Sequence, residues 1–296
     1  MCLTCGCGND EDVRVLTLDT GDQWQRRDHA HHDHAHTHEH ETHHHHDHEH
    51  HDHDHPDHDH QDHDHSRQPS DAVQRPIAST ENLIIGEAIL AKNDHLAQHN
   101  RDLFAQRGIT ALNLMSSPGS GKTSLLERTI AELGDASPIC VIEGDQETTF
   151  DSDRIRRAGA RAVQVNTGAG CHLDAPMVQK AVEALDPQSG SWLFIENVGN
   201  LVCPALFDVG EHAKVVIISV TEGQDKPLKY PHMFSVADLV IVNKTDLLPY
   251  VDFDLETFSS HAQSLNRGVE IVSMSVKSGD GLADWYAWLQ KSVRTR

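Results

Sequence analysis

The sequence predicts an α/β fold, a mostly parallel sheet flanked by helices, preceded by an N-terminal extension that stays disordered without metal. Three observations carry this. Seven short apolar runs, at 111–115, 139–143, 162–166, 192–196, 215–220, 239–243 and 269–274, alternate with helical stretches, and their near-continuous hydrophobicity marks strands buried on both faces. A glycine-rich turn joins the first run to the helix after it. The stretch 28–65 holds 20 of the 26 histidines and 12 Asp or Glu with no Lys or Arg, so it has almost nothing apolar to bury.

These shifts divide the 296 residues into a Cys/Gly tip (1–9), a polar linker with the His/Asp tract (10–78) and a globular domain (79–296). The domain opens with Ser79-Thr-Glu-Asn82, a capping signal, and its Leu/Ile/Ala pattern runs as one long helix to Gly108. Of the net charge of −22, −12 falls in the tract. No Lys/Arg cluster offers the basic face a nucleic acid needs, whereas the acidic balance suits cations. No run of about 18 apolar residues suggests a membrane span, and no basic-then-apolar start suggests a secretory signal, so the expected address is cytoplasmic. The six cysteines then read as thiolates rather than disulfides, with Cys140, inside an apolar run, as a small core residue.

Ser116-Ser-Pro-Gly-Ser-Gly-Lys-Thr123 follows the first strand and opens a helix over 121–133. Gly119, Ser120, Gly121 and Ser124 let backbone N–H groups curl around phosphate oxygens at a positive helix terminus. Lys122 reaches the outer phosphates and the Thr123 hydroxyl suits Mg²⁺. The strict P-loop pattern has Gly where this chain has Ser116. Asn243-Lys-Thr-Asp246 ends a later strand. A carboxylate at Asp246 accepts from guanine N1–H and its exocyclic amine, a donor pair adenine lacks; Lys244 lies along the base and Asn243 ties this loop to the phosphate loop. Ser275-Val-Lys277 resembles the last base-contacting loop of GTPases. Between these motifs Glu143-Gly-Asp145 and Glu196-Asn-Val-Gly199 end strands where carboxylates can serve Mg²⁺ near the γ-phosphate, with Asp145 and Glu196 as the alternatives for direct ligand. No Gln or Arg finger is evident, so turnover is expected to be slow without a partner.

Three sets of soft ligands accompany the nucleotide motifs. Cys2, Cys5 and Cys7 form a glycine-bearing tip suited to Ni(II), Zn or Cu(I). Cys171-His172 and Cys203-Pro204 offer two thiolates and an imidazole for Ni²⁺ or Zn²⁺ beside the γ-phosphate position. The tract supplies interchangeable imidazoles for high-capacity, low-affinity binding, and full protonation would take it from −12 to about +8, releasing metal below roughly pH 6.5.

The chain resembles the HypB family, the nickel-insertion GTPases of NiFe-hydrogenase maturation. The likeness rests on the Cys tip, the His-rich insert, Ser116 to Thr123, Glu143-Gly-Asp-Gln146, Cys171-His172, Glu196-Asn-Val-Gly-Asn200 with Cys203-Pro204, Gln224-Asp-Lys-Pro227 and Asn243 to Asp246. Ser116 is ordinary in that family. The resemblance implies a P-loop GTPase that dimerises with GTP and metal, takes nickel, and works with a HypA-like accessory protein toward the hydrogenase large subunit. It also implies that Cys2, Cys5 and Cys7 are the tight nickel site and that Cys171, His172 and Cys203 are the G-domain metal site. The related urease-maturation GTPases carry Cys-Pro-His, which this chain lacks as one string.

Overall fold

The computed structural model describes residues 14–17, 80–134, 136–145, 150–168 and 170–294. The Cys tip and the His/Asp tract lie outside the described residues. All seven expected strands form: β2 (Thr110–Ser116), β3 (Ile139–Asp145), β4 (Arg161–Asn166), β5 (Trp192–Glu196), β6 (Ala213–Ser219), β7 (Leu239–Asn243) and β8 (Glu270–Ser273). They are mutually parallel. An eighth strand, β1 (Arg14–Thr17), pairs antiparallel with β4 at one edge, giving the order β1-β4-β3-β5-β2-β6-β7-β8. The linker expectation over 10–78 contained no strand; four residues gain one by pairing with an otherwise open sheet edge.

Helices cover both faces, as buried parallel strands require. One face packs under α2 (Lys122–Leu133), α3 (Phe150–Arg157) and α8 (Leu282–Arg294), with Leu126, Ile155 and Trp285 among the core. The Trp285 indole N–H donates to Thr129 Oγ1 at 2.9 Å, which removes the one polar atom of a fully buried ring. The other face is shared. The long helix α1 (Thr80–Arg107) and α4 (Ala175–Leu185) bury Phe104, Val178 and Val182 against β3, β4 and β5. The short α5 (Lys226–Lys229) and α6 (Pro231–Ser235) pack with α7 (Leu255–Leu265), and Phe234 and Phe258 cap β6 and β7. Cys140 is 2% exposed in this core, as its apolar run implies. The chain runs outward from β2 to β3 and β4, returns through β5, then crosses to β6, so the carboxyl ends of β2, β3 and β5 flank a topological switch point where ligands sit.

Candidate functional site

A cavity of about 500 Å³ opens at that switch point, lined by Gly119, Lys122, Thr123, Glu143, Glu196 and Lys244 among others. Gly121 makes its floor possible. Its φ of 105° lies in the left-handed region, and an added Cβ would run into the Asn243 side-chain nitrogen. The helix α2 therefore starts abruptly at Lys122 with its N–H groups facing the cavity. Lys122 Nζ donates to Ser116 Oγ at 2.7 Å, so the serine that departs from the strict P-loop pattern holds the lysine in place. Burial lowers the pKa of Lys122, against the raising effect of Glu196 first and then Asp151, Glu143 and Glu222. Ser120 is buried and its Oγ donates to the Ser117 carbonyl at 2.9 Å.

The carboxylates are the chemically loaded part. Glu143 and Glu196 stand opposite each other in register on neighbouring strands, and both are almost completely buried. Thr123 Oγ1 donates to Glu196 Oε1 at 2.7 Å. Among the described residues, Oε2 of each glutamate has no hydrogen-bond partner. Burial, with Glu196, Asp151 and Asp145 adding repulsion, pushes Glu143 up to about 9 against the pull of Lys122. Glu196 is raised as well, chiefly by burial, with Lys122 and the Thr123 hydrogen bond opposing. Two orphaned carboxylate oxygens beside a threonine hydroxyl are a hard-donor set that a divalent cation would satisfy and discharge. The residues fit Mg²⁺. Of the sequence alternatives, Glu196 is in this set and Asp145 is a half-exposed lining residue further along β3.

The sequence reading named Glu143 only within the string Glu143-Gly-Asp145 and took Asp145 as the candidate ligand on that strand end. It also missed Arg154 on α3, which lines the cavity, grips Glu127 at 2.6 and 3.0 Å and donates to Ser124 Oγ at 3.1 Å. Ser124 is thus in contact with a cation from a helix with no motif.

The loops after β7 and β8 converge through Asn243. Its Nδ2 donates to the Ser120 carbonyl at 2.8 Å, and its Oδ1 accepts from Lys244 N at 2.7 Å and Val276 N at 3.2 Å. One side chain joins the phosphate loop, its own loop and the loop after β8. Lys244, at φ 63°, sends Nζ to the Gly119 carbonyl at 2.7 Å. Asp246 Oδ1 accepts from Ser275 Oγ at 2.7 Å, and Ser275 Oγ itself accepts from Ser278 N at 3.1 Å. Ser275 is therefore a buried prop for Asp246, while Lys277 is exposed on the same loop.

Beside the nucleotide cavity, ligand atoms of Cys171, His172 and Cys203 lie within 4.8 Å of one another. Cys171 Sγ and His172 Nδ1 are 3.7 Å apart. His172 is buried and stacks on Phe207 with ring centroids 3.9 Å apart, and burial lowers its pKa to about 4. A neutral imidazole with two thiols is the ligand chemistry of Ni²⁺ or Zn²⁺, and three donors leave a fourth position for another group. Cys2, Cys5 and Cys7 fall outside the described residues.

A parallel sheet carrying a glycine loop, a buried lysine and paired strand-end carboxylates defines a P-loop nucleotide-binding protein. Residues 110–273 match the family model described as CobW/HypB/UreG, nucleotide-binding domain. Hydrogenase maturation factor HypB of Azotobacter vinelandii is 54% identical over 228 residues, 77% of this chain and 75% of that one. Its counterpart in Escherichia coli K12 is 55% identical over 202 residues, covering 68% of this chain and 70% of that protein. Among solved structures, HypB of Archaeoglobus fulgidus superposes with TM-score 0.65 at 41% identity, covering 69% of this chain and all of that one. HypB of Helicobacter pylori in complex with nickel gives TM-score 0.65 at 40% identity, covering 69% of this chain and 96% of that one. The chain belongs to the HypB family of hydrogenase maturation factors. Among the described residues no helix is long and apolar enough to cross a membrane.

Proposed function

We propose that this protein is a GTP-hydrolysing nickel metallochaperone that delivers nickel to the large subunit of a NiFe-hydrogenase. The observation that carries the reading is the placement of a three-ligand soft site, Cys171, His172 and Cys203, on loops that flank a phosphate cavity containing Thr123, Glu143 and Glu196. Lys122, Gly119, Ser120, Gly121 and Ser124 hold the phosphates. Asn243, Lys244 and Asp246, braced by Ser275 and continued by Lys277, select guanine. Mg²⁺, held by Thr123 and the strand-end carboxylates, would offset the charge that develops on the transferred phosphoryl group.

Nickel is the cargo. Cys2, Cys5 and Cys7 form the tight site, the tract over 28–65 stores ions, and the G-domain triad, which also suits Zn²⁺, exchanges them with a partner. Among the described residues that triad has three ligands; a second copy of the chain or a HypA-like accessory protein can supply a fourth, so a GTP- and metal-dependent homodimer in the cytoplasm is the working form. Support comes from the family and from the nickel complex of the H. pylori relative. The test is nickel and zinc titration with GTP, GDP or ATP present. Metal affinity that depends on guanine nucleotide and ignores ATP supports the reading; metal binding indifferent to nucleotide, with no GTP turnover, sinks it.

A further inference from the structure

The nucleotide cavity and the Cys171, His172, Cys203 triad are joined by the buried side chain of Asn197, alongside Asn200, whose Nδ2 donates to the Cys171 carbonyl at 3.3 Å. Asn197 follows Glu196 at the end of β5 and is 1% exposed. Its Oδ1 accepts from Leu173 N at 2.9 Å and from Val198 N at 3.0 Å. Its Nδ2 donates to Asn113 Oδ1 at 3.2 Å, on the central strand β2. Asn113 is fully buried and passes the chain on, donating to Glu211 Oε1 at 3.2 Å. Glu211 is fixed in turn by Lys214 at 2.7 Å and by Val209 N at 2.8 Å. Both amides are thus oriented by their partners, and the Asn197 carbonyl oxygen is aimed at the backbone immediately after His172.

Leu173 has a second tether. Its side chain packs on Gly144 so closely that a Cβ there would meet Leu173 Cγ at 2.7 Å. Gly144 lies between Glu143 and Asp145. The residue next to His172 therefore touches both strand ends that face the phosphates, β5 through a hydrogen bond and β3 through apolar contact. His172 is pinned on its other side by Phe207. A nucleotide that reorders 196–199 would carry the acceptor of the Leu173 N–H with it, because Asn197 lies inside that segment.

We propose that Asn197 is the positioning residue that transmits nucleotide state to the metal triad, with Leu173 as the segment it moves. This rests on the reading above that nucleotide and metal binding are coupled. Energetic coupling needs an element whose arrangement both ligands bias, and here the two loops share the Asn197 carboxamide, the more deeply buried of the two that bridge them.

The experiment uses the full-length chain with Cys2, Cys5 and Cys7 changed to Ala, and a chelator strong enough to strip isolated imidazoles, so that zinc or nickel reports the G-domain triad. Metal affinity is measured with GDP and with a non-hydrolysable GTP analogue, each with Mg²⁺. The unsubstituted triad should show a ratio between the two states of about 5- to 150-fold, the ordinary range of allosteric coupling. Asn197→Ala should bring that ratio within about twofold of one, while Asn197→Asp, which keeps an oxygen toward Leu173 N, should restore part of it. A residue needed only to hold the metal loop in shape would lower affinity equally in both states and leave the ratio intact, and that outcome overturns the proposal. A ratio of one before any change at Asn197 refutes the underlying coupling instead. Should Asn197→Ala fail to melt cooperatively, Leu173→Ala decides: it leaves the amide in place, loosens the contact with Gly144, and should shrink the ratio with nucleotide affinity of the metal-free protein unchanged.

Discussion

Asp246→Asn isolates the guanine assignment, and the surrounding bonds fix what it does. Ser275 Oγ accepts from Ser278 N and so turns its proton toward Asp246 Oδ1, 2.7 Å away. An asparagine at this position keeps its carbonyl oxygen on Ser275 and presents its NH₂ group to the base. The charge-assisted acceptance from the exocyclic amine becomes donor facing donor, and the one from N1–H loses its charge. A hydrogen bond to a charged group contributes about 1.5–3 kcal/mol, and some of the loss is recovered by water at a half-exposed residue, so the change should cost about 2–4 kcal/mol. That is roughly 30- to 900-fold in GTP affinity. Xanthosine triphosphate, which offers an acceptor where guanine has its amine, should gain. The assay is competition of GTP, XTP and ATP against a fluorescent guanine nucleotide, with a thermal melt to confirm folding. If the variant binds GTP as the parent does, Asp246 does not read the base.

Deletion of 28–65 should lower the number of nickel ions bound per chain in equilibrium dialysis, with GTP hydrolysis and the tightest nickel affinity unchanged; a large loss of hydrolysis would show that storage and turnover are not separate. Cys203→Ala should abolish G-domain metal while the tip still binds, and sedimentation with GTP or GDP should lose its metal dependence. A G-domain ion that persists, with affinity still differing between nucleotides, assigns Cys203 a packing role. For Glu143, whose carboxyl is raised to about 9 by burial and its acidic neighbours, the folded state holds a proton that the unfolded state releases near 4.5. Its contribution to stability is full below about pH 4.5 and lost as pH rises toward 9. Melts of the chain in EDTA without nucleotide should therefore fall over that window, and Glu143→Gln should flatten the fall while weakening Mg²⁺-dependent GTP binding. A slope unaltered by the substitution removes Glu143 as its source.

The parallel sheet was legible because each central strand is buried on both faces and is written as an uninterrupted apolar run; β2 is buried at all seven positions. Arg14–Thr17 sits in the short run Val13-Arg-Val-Leu-Thr-Leu18, a strand signal that the reading of 10–78 as one polar linker passed over, and the open edge of β4 pairs it. Phosphate and base motifs were readable since their geometry is local: Gly121 and Lys122 act within one turn of each other. Glu143 was harder, because whether a strand-end acid points inward depends on the register with Glu196. Arg154 had no local signal at all. Asn113 did have one, a carboxamide inside an otherwise apolar run, and a buried amide demands partners; which partners, 84 residues away at Asn197, only the fold could supply.

The direction of β1 has a consequence for how metal travels. Because β1 runs opposite to β4, Arg14 pairs with Asn166 at the carboxyl end of the parallel strands, the end where the nucleotide cavity opens and from which the chain proceeds to Cys171. Cys7 stands seven positions before Arg14, a length of chain that spans at most about 25 Å. The point where the tip's chain joins the sheet, Arg14, is thus on the rim that carries the triad rather than on the far side. Under the proposed function, a donor on so short a tether would meet its acceptor at an effective concentration in the millimolar range. Ion passage from tip to triad would then be a first-order event within one molecule, whose rate should not change on dilution.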